Sequence, residues 1–203
     1  MKIGPKYKIC RRVGDPIFSK CQTTKFAIAG KDQKQKGKRR RQVSEYGSQL
    51  IEKQKARYTY GVSEKQFSNY IKKAQTQSGL DSTAEIFKLL ETRLDNMVFR
   101  LGLTISRAAA RQMVSHGHIT VNDKKLNIPS YQVKLGDKIG VRAGSKDKAL
   151  FSNLNDRLSN YTAPAWVIFD DQKLTGGLKA WPTQGQEESN LNFRTIIEFY
   201  SRV

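Results

Sequence analysis

Ile86, Phe87, Leu90, Leu94, Met97, Val98 and Leu101 recur at the helical period and place one apolar stripe on one face. A stripe of that length must be covered, and the next segment supplies the cover. Ala108, Ala109, Met113 and Val114 form the apolar face of a shorter helix, opened by Ser106 as N-cap and closed by Gly117. Ile119-Thr120-Val121 then alternates as a strand, with a turn at Asn122-Asp123. Lys138-Ile139-Gly140-Val141 is a second strand, after the turn at Gly136-Asp137. Residues 91–142 therefore read as two packed helices and a small sheet, a rigid platform rather than a catalytic pocket.

The same span carries cations at helical spacing. Arg93 and Arg100 are seven residues apart, with Asn96 between them on nearly the same face; Arg107 and Arg111 are four apart on the next helix. If the helices pack through their apolar faces, these five residues border one shared surface. A guanidinium binds phosphate bidentately, so the array suits a folded polyanion backbone better than base edges. For any single arginine the competing reading is a solvated charged face. Gln112, Ser115, His116 and His118, in or just after the second helix, join the candidate RNA contacts, the histidines in a polar turn.

Charge elsewhere strengthens the polyanion reading. The chain has 203 residues and a net charge of +19. Residues 1–80 hold 20 Lys+Arg and 5 Asp+Glu, residues 81–142 hold 10 and 6, and residues 143–203 hold 7 and 7. Such a charge opposes compaction unless a polyanion neutralises it; nucleic acid is the first choice and an acidic membrane surface the second. The run Lys34, Lys36, Lys38, Arg39, Arg40, Arg41 lies in a segment without aliphatic or aromatic side chains, so alone it should be disordered. It suits salt-dependent backbone contact, with a nuclear localisation signal as the competing reading. Lys6, Lys8, Arg11, Arg12, Lys53, Lys55, Arg57, Lys72 and Lys73 extend the field. Tyr46, Tyr58 and Tyr60 are candidates for base stacking, with core packing the first reading for each.

The other elements follow from caps and periodicity. Residues 43–60 read as a helix around Leu50 and Ile51. Ser63 with Gln66 opens a helix carrying Phe67, Tyr70, Ile71 and Ala74, ended by Ser78-Gly79. Ser82 with Glu85 opens the striped helix, which should run unbroken to about Leu101 and stop at Gly102. Residues 143–160 are polar and partly helical, Trp166 to Phe169 a strand, Gly176-Gly177 and residues 182–190 loops, and Phe193 to Tyr200 a closing helix. The class is α+β in two lobes. A basic extended segment, 1–42, leads into a helical lobe, 43–90, on which 190–203 packs back; an RNA-binding module and the strands after it occupy 91–180.

Several chemistries find no support. Cys10 and Cys21 are eleven apart without a CxxC, and two histidines add too few ligands for a zinc site. Cofactors are not expected. No Gly-rich phosphate loop or nucleophile elbow appears. Arg93-Leu94-Asp95 matches part of the catalytic loop of some pseudouridine synthases, but it falls inside an amphipathic helix and lacks the Thr-Ser-Gly continuation. No run of about 18 apolar residues exists, so no membrane span or membrane partner is expected. The N-terminus lacks the apolar region of a signal peptide.

ETRLDNMVFRLG, SRAAARQMVSHGHITVN, NIPSYQVKLGDKIGVR and the upstream SEYGSQLIEKQKARYTYGVSEKQFSNY closely resemble the bacterial-type small-subunit ribosomal protein of the fourth family. The opening GPKYKICRRVG and the ending IIEFYS match as well, so the resemblance spans essentially the whole chain. The central motif alone is shared with pseudouridine synthases, tyrosyl-tRNA synthetases and a heat-shock RNA-binding protein; the flanks select the ribosomal member. The resemblance implies two helices and a small β-sheet in the alpha-L arrangement and direct, early binding to the 5′ domain of small-subunit rRNA, with a role in nucleating assembly. It implies contact with the fifth small-subunit protein, an influence on decoding accuracy, and, with the third and fifth proteins, a place along the mRNA entry channel. Lys38 to Arg41 match the basic stretch near that channel, and Arg93, Arg100, Arg107 and Arg111 match the RNA-facing arginines. The expected location is a bacterial cytoplasmic ribosome, with an organelle-encoded mitochondrial or plastid ribosome as the alternative. Most members carry Pro-Gly-Gln-His-Gly before the SEYG-like helix, where this chain has KDQKQKGKRRRQ. Some bind zinc with four cysteines, and this chain has two.

Two rivals compete with a structural ribosomal protein. An RNA-modifying enzyme would need a separate catalytic domain, and the residues after 142 are few for one. A transient RNA chaperone would not need capped helices and an apolar ending.

Overall fold

A computed structural model describes residues 3–23, 26, 44–76, 81–146, 148–151, 154–159, 161–170, 173–183 and 191–202. The expected loop at 182–190 and the helix stop at Ser78-Gly79 lie largely or wholly outside them. The chain divides into two compact units, Met1–Thr83 with Ser189–Val203, and Ala84–Glu188.

The first unit is helical: α1 (Lys6–Val13), α2 (Glu45–Tyr60), α3 (Glu64–Thr76) and the closing α8 (Phe193–Ser201). Ser44 caps α2 by accepting from the Gly47 N–H. The Ser63–Gln66 box is reciprocal: the Gln66 N–H donates to Ser63 Oγ at 3.3 Å, and the Ser63 N–H to Gln66 Oε1 at 3.4 Å. Phe67, Ile71 and Ala74 of α3 and Phe193, Ile196 and Phe199 of α8 are buried. Asn192 caps α8 through the Thr195 N–H. Cys10 and Cys21 are buried free thiols. Burial, then a hydrogen bond with Cys10 and its charge, pushes the Cys21 thiol up to about 11.

The second unit holds α4 (Ser82–Glu91), α5 (Leu94–Arg100), α6 (Arg107–Ser115) and α7 (Leu154–Ser159). Its antiparallel sheet has the order β2-β1-β3-β5-β4. The strands are β1 (Ile119–Val121), β2 (Lys124–Lys125), β3 (Ile139–Val141), β4 (Val167–Asp170) and β5 (Thr175–Leu178). Asn122 and Asp123 both have positive φ, 51° and 63°, as a two-residue hairpin turn requires. Leu94, Met97, Val98 and Leu101 meet Ala110, Met113, Val114, Ile119, Ile139 and Val141 in one core cluster.

Three expectations are corrected. First, the striped helix is broken. Thr92 and Arg93 leave the helical path, and Arg93 bridges Gln132. The segment 129–133 takes over the backbone groups: the Leu94 N–H donates to Tyr131 O at 2.8 Å, the Asp95 N–H to Pro129 O at 3.1 Å, and the Val133 N–H to Thr92 O at 2.8 Å. These bonds satisfy the groups that a continuous helix would satisfy internally. Second, Ser82 lies inside α4; Asp81 accepts from the Thr83 N–H, and Glu85 is buried beside Lys88 instead of closing a box. Third, Gly176-Gly177 is strand, not loop. A Cβ at Gly176 would sit 2.5 Å from Ile168 O, and one at Gly177 2.5 Å from Asp137 O, so glycine here permits close strand and turn approach. On α6, Ala110 is buried and Ala108 exposed, which rotates the apolar face slightly from that expected.

Candidate nucleic-acid interface

The five residues expected to border one cationic surface do converge, but mostly inside the second unit. Arg93, Asn96 and Arg100 are buried, at 2%, 2% and 3% exposure. The break at Thr92–Arg93 swings Arg93 toward Asp95 in the first turn of α5. Its Nε donates to Asp95 Oδ1 at 3.0 Å and its Nη2 to Oδ2 at 2.8 Å. From α6, Arg111 donates to the same Oδ2 through Nη2 at 2.6 Å and Nε at 2.8 Å. One carboxylate thus ties the break at Arg93 to α5 and α6.

Glu91 organises the second half of the network. Arg100 grips it with both nitrogens, Nε to Oε2 at 2.9 Å and Nη2 to Oε1 at 3.0 Å. The Asn96 amide donates to Glu91 Oε2 at 2.8 Å and to its carbonyl at 2.9 Å, while Asn96 Oδ1 accepts from Arg107 Nε at 2.7 Å. Arg107 also lies over the Phe99 ring, 4.5 Å from its centroid. Four arginines and two carboxylates leave a local excess of two positive charges. Only the outer pair, Arg107 and Arg111, is half-buried and reaches the edge.

Thus Arg93, Asn96 and Arg100 are corrected from surface contacts to internal ones. The reason is electrostatic: a buried guanidinium needs a carboxylate, and Glu91 and Asp95 supply it. Those two acids hold the network together and were not among the expected residues. The available signal was an acid within two to nine residues of each arginine in the same apolar segment.

The same reversal occurs in the first unit. Lys53 is buried, pairs with Glu64 at 2.8 Å and lies 4.5 Å from the Phe199 ring centroid. Lys55 is buried and pairs with Asp15. Arg57 pairs with Glu64 at 3.5 Å and stacks 4.7 Å from the Tyr58 centroid. Burial alone would raise the Glu64 carboxyl; hydrogen bonds from Lys53 and Tyr200 and the charges of Lys53 and Arg57 outweigh it and hold the group below its usual range. Tyr60 is core, whereas Tyr46 is exposed.

The accessible candidates are therefore fewer. Lys6, Lys8, Arg11 and Arg12 are exposed on α1, and Gln112, Ser115 and His116 on and just after α6. A cavity of about 310 Å³ between α1 and α2 has Ile9, Leu50, Ile51 and Tyr58 in its walls, with Lys8 and Arg12 among its lining residues. His118 is buried, its Nδ1 3.0 Å from Ser145 Oγ. Burial, then the charges of Lys148, His116, Arg142 and Lys125, holds its imidazole below the usual value and so neutral at pH 7. Lys38, Arg39, Arg40 and Arg41 lie outside the described residues. Among the described residues no group of three or more His, Cys, Asp or Glu is placed to hold a metal ion. No described helix is long and apolar enough to cross a membrane.

A salt-bridged helix pair on a small antiparallel sheet, in a chain that also holds a helical unit rich in cations, has known counterparts. Residues 1–91 match the model of the ribosomal protein S4/S9 N-terminal domain, and residues 92–139 match the S4 domain. The chain is 46% identical over 204 residues to the small ribosomal subunit protein uS4 of Desulforamulus reducens. It is 47% identical over 206 residues to that of Roseiflexus sp., and 43% identical over 204 residues to that of Chromohalobacter salexigens. Each match covers 98% of this chain and 98% of the relative. With both domains matched in order and identity this high from end to end, the chain belongs to the uS4 family of small-subunit ribosomal proteins.

Proposed function

We propose that this chain, a non-enzymatic structural constituent of the small ribosomal subunit, grips rRNA of the 5′ domain directly. The contacts are the exposed cations of α1 and the outer edge of α6, at Arg107, Arg111, Gln112, Ser115 and His116. The observation that carries the reading is the sorting of the cations. Lys53, Lys55, Arg93 and Arg100 are neutralised internally, whereas Lys6, Lys8, Arg11 and Arg12 stand exposed together on one short helix. Exposed clustered cations bind a phosphate backbone through counterion release, while the internal pairs hold the platform rigid.

On this reading the protein binds early and nucleates assembly. It touches the fifth and third small-subunit proteins and contributes, with Lys38 to Arg41, to the mRNA entry channel and to decoding accuracy. The family resemblance supports these roles, and bacterial relatives favour a bacterial cytoplasmic ribosome.

The test is binding of the full chain to transcripts of the 5′ and 3′ domains of small-subunit rRNA across a salt series. The 5′ transcript should bind far more tightly. Arg11→Gln with Arg12→Gln should reduce the salt slope by about 1.4 to 1.8, at 0.7 to 0.9 per phosphate contact. Equal affinity for the two transcripts, or an unchanged slope, would overturn the proposal.

A further inference from the structure

The sheet face turned away from the helices carries a second cationic feature. Pairing sets Thr120 of β1, Gly140 of β3 and Thr175 of β5 in one row: Thr120 opposes Gly140, and Gly140 opposes Thr175. Ile119, Val121, Ile139 and Val141, on either side of that row, are buried in the core, so the row faces outward. At its centre Gly140 lets the two threonine side chains close in on the strand. A Cβ there would lie 3.2 Å from Thr175 Cγ2 and 3.3 Å from Thr120 Oγ1.

Strand alternation puts Lys138 and Arg142 on the same face as Gly140, one at each end of β3. Lys146 follows the 3₁₀ turn Ala143–Ser145, Lys173 comes from the turn between β4 and β5, and Asp123 from the β1–β2 turn. Together these groups line a cavity of about 360 Å³. Four cations against one carboxylate leave its lining at +3.

These cations are unlike those of α5 and α6. Lys138, Arg142, Lys146 and Lys173 are all exposed. Of these four, only Lys173 forms an ion pair among the described residues, with Asp170 at 3.8 Å. Like charges gathered round one depression repel unless an anion sits among them. Lysine, arginine and threonine donors around a glycine floor suit phosphate and ribose oxygens, and no aromatic side chain lines the cavity to stack a base.

We infer that this cradle seats a backbone phosphate, with its sugar, of the ribosomal RNA. The second unit then has an RNA contact on its sheet in addition to the one at the edge of α6. The inference rests on the proposed direct rRNA binding and adds a place for one phosphate. The sequence shows its trace as Lys138-Ile139-Gly140-Val141-Arg142, with a cation, a glycine and a cation at period two; Lys173 and Thr175 join only through β5.

The experiment uses the full chain and the 5′-domain transcript, comparing wild type, Lys138→Gln with Arg142→Gln, and Gly140→Ala, with thermal melts to verify folding. The charge variant should lose about tenfold or more in affinity at 0.15 M salt, and about 0.7 to 0.9 in salt slope for the one phosphate released. Gly140→Ala keeps every charge and fills the floor; it should lose several-fold in affinity with little change in slope. Wild-type affinity in both variants overturns the cradle while leaving rRNA binding intact. Loss in the charge variant alone overturns it too, since a diffuse field does not notice a methyl group. Saturation by millimolar inorganic phosphate without loss of RNA binding would make it a free-anion site and overturn the RNA assignment. A wild type that does not bind the transcript defeats the proposed function and this inference together.

Discussion

The helix pair α5–α6 and the outer face of the sheet lie in one unit and carry four cations each, yet they use them in opposite ways. Arg93, Arg100, Arg107 and Arg111 converge on Asp95, Asn96 and Glu91, and the inner two are buried. Lys138, Arg142, Lys146 and Lys173 stand exposed round a depression with one carboxylate. A charge count does not separate the two sets. Their acids do: a guanidinium held bidentately by a buried carboxylate is part of the framework, while a cation without such a partner can accept a phosphate. The first region should therefore answer to stability measurements and the second to binding measurements.

The largest way to break this contrast is Glu91→Gln. It leaves Arg100 buried beside a neutral amide and should destabilise the chain by about 3 to 5 kcal/mol, read by denaturant unfolding, because a charge stranded in the interior loses its compensation. A loss under about 1 kcal/mol would show that the network is not part of the framework. Arg111→Ala should cost less, about 1 kcal/mol, because Arg93 still holds Asp95 and Arg111 is partly solvated. A loss as large as that of Glu91→Gln would erase the distinction between inner and outer arginines.

Acid sharpens the comparison between units. Glu64 in the first and Asp137 in the second both sit below their ordinary values of 4.5 and 3.8. For Asp137, burial would raise the group, but bonds from the Lys134 N–H, Asn122 and Tyr131 outweigh it. A carboxyl depressed by folding stabilises fully above its unfolded value, and that stability disappears as pH falls through the folded one. Melting temperature should therefore slip slightly as pH falls through the ordinary histidine value, where unfolded His118 takes a proton that the buried ring does not, and decline further below the ordinary carboxylate range. Glu64→Gln and Asp137→Asn should each flatten that decline. An unchanged acid limb in both would refute the assignment.

Local chemistry was mostly readable in the sequence where the deciding groups are neighbours, the Ser82–Glu85 box excepted. The Ser63–Gln66 box, the Ser106 cap and the Asn122-Asp123 turn each depend on atoms at most three residues apart. The family was readable for the same reason, since its motifs are continuous. The helix break at Thr92 was not, because the carbonyls of Pro129 and Tyr131 that replace the helical ladder arrive from more than thirty residues away. Nor was the inward turn of Arg93 and Arg100: helical spacing assigns a face, and the break changes which way the face points.

By itself, then, the sequence determined most element types, the cationic excess, the RNA-binding class and the uS4 lineage, since periodicity, capping and motif identity are local properties. Only the tertiary structure decided which cations are spent inside and which remain outside. That choice depends on where a carboxylate lands after packing, and on strands such as β3 and β5 meeting across the chain to place Lys138, Gly140, Arg142 and Lys173 around one hollow. Burial makes the difference physical: a charge removed from water keeps only the partner that the fold brings to it.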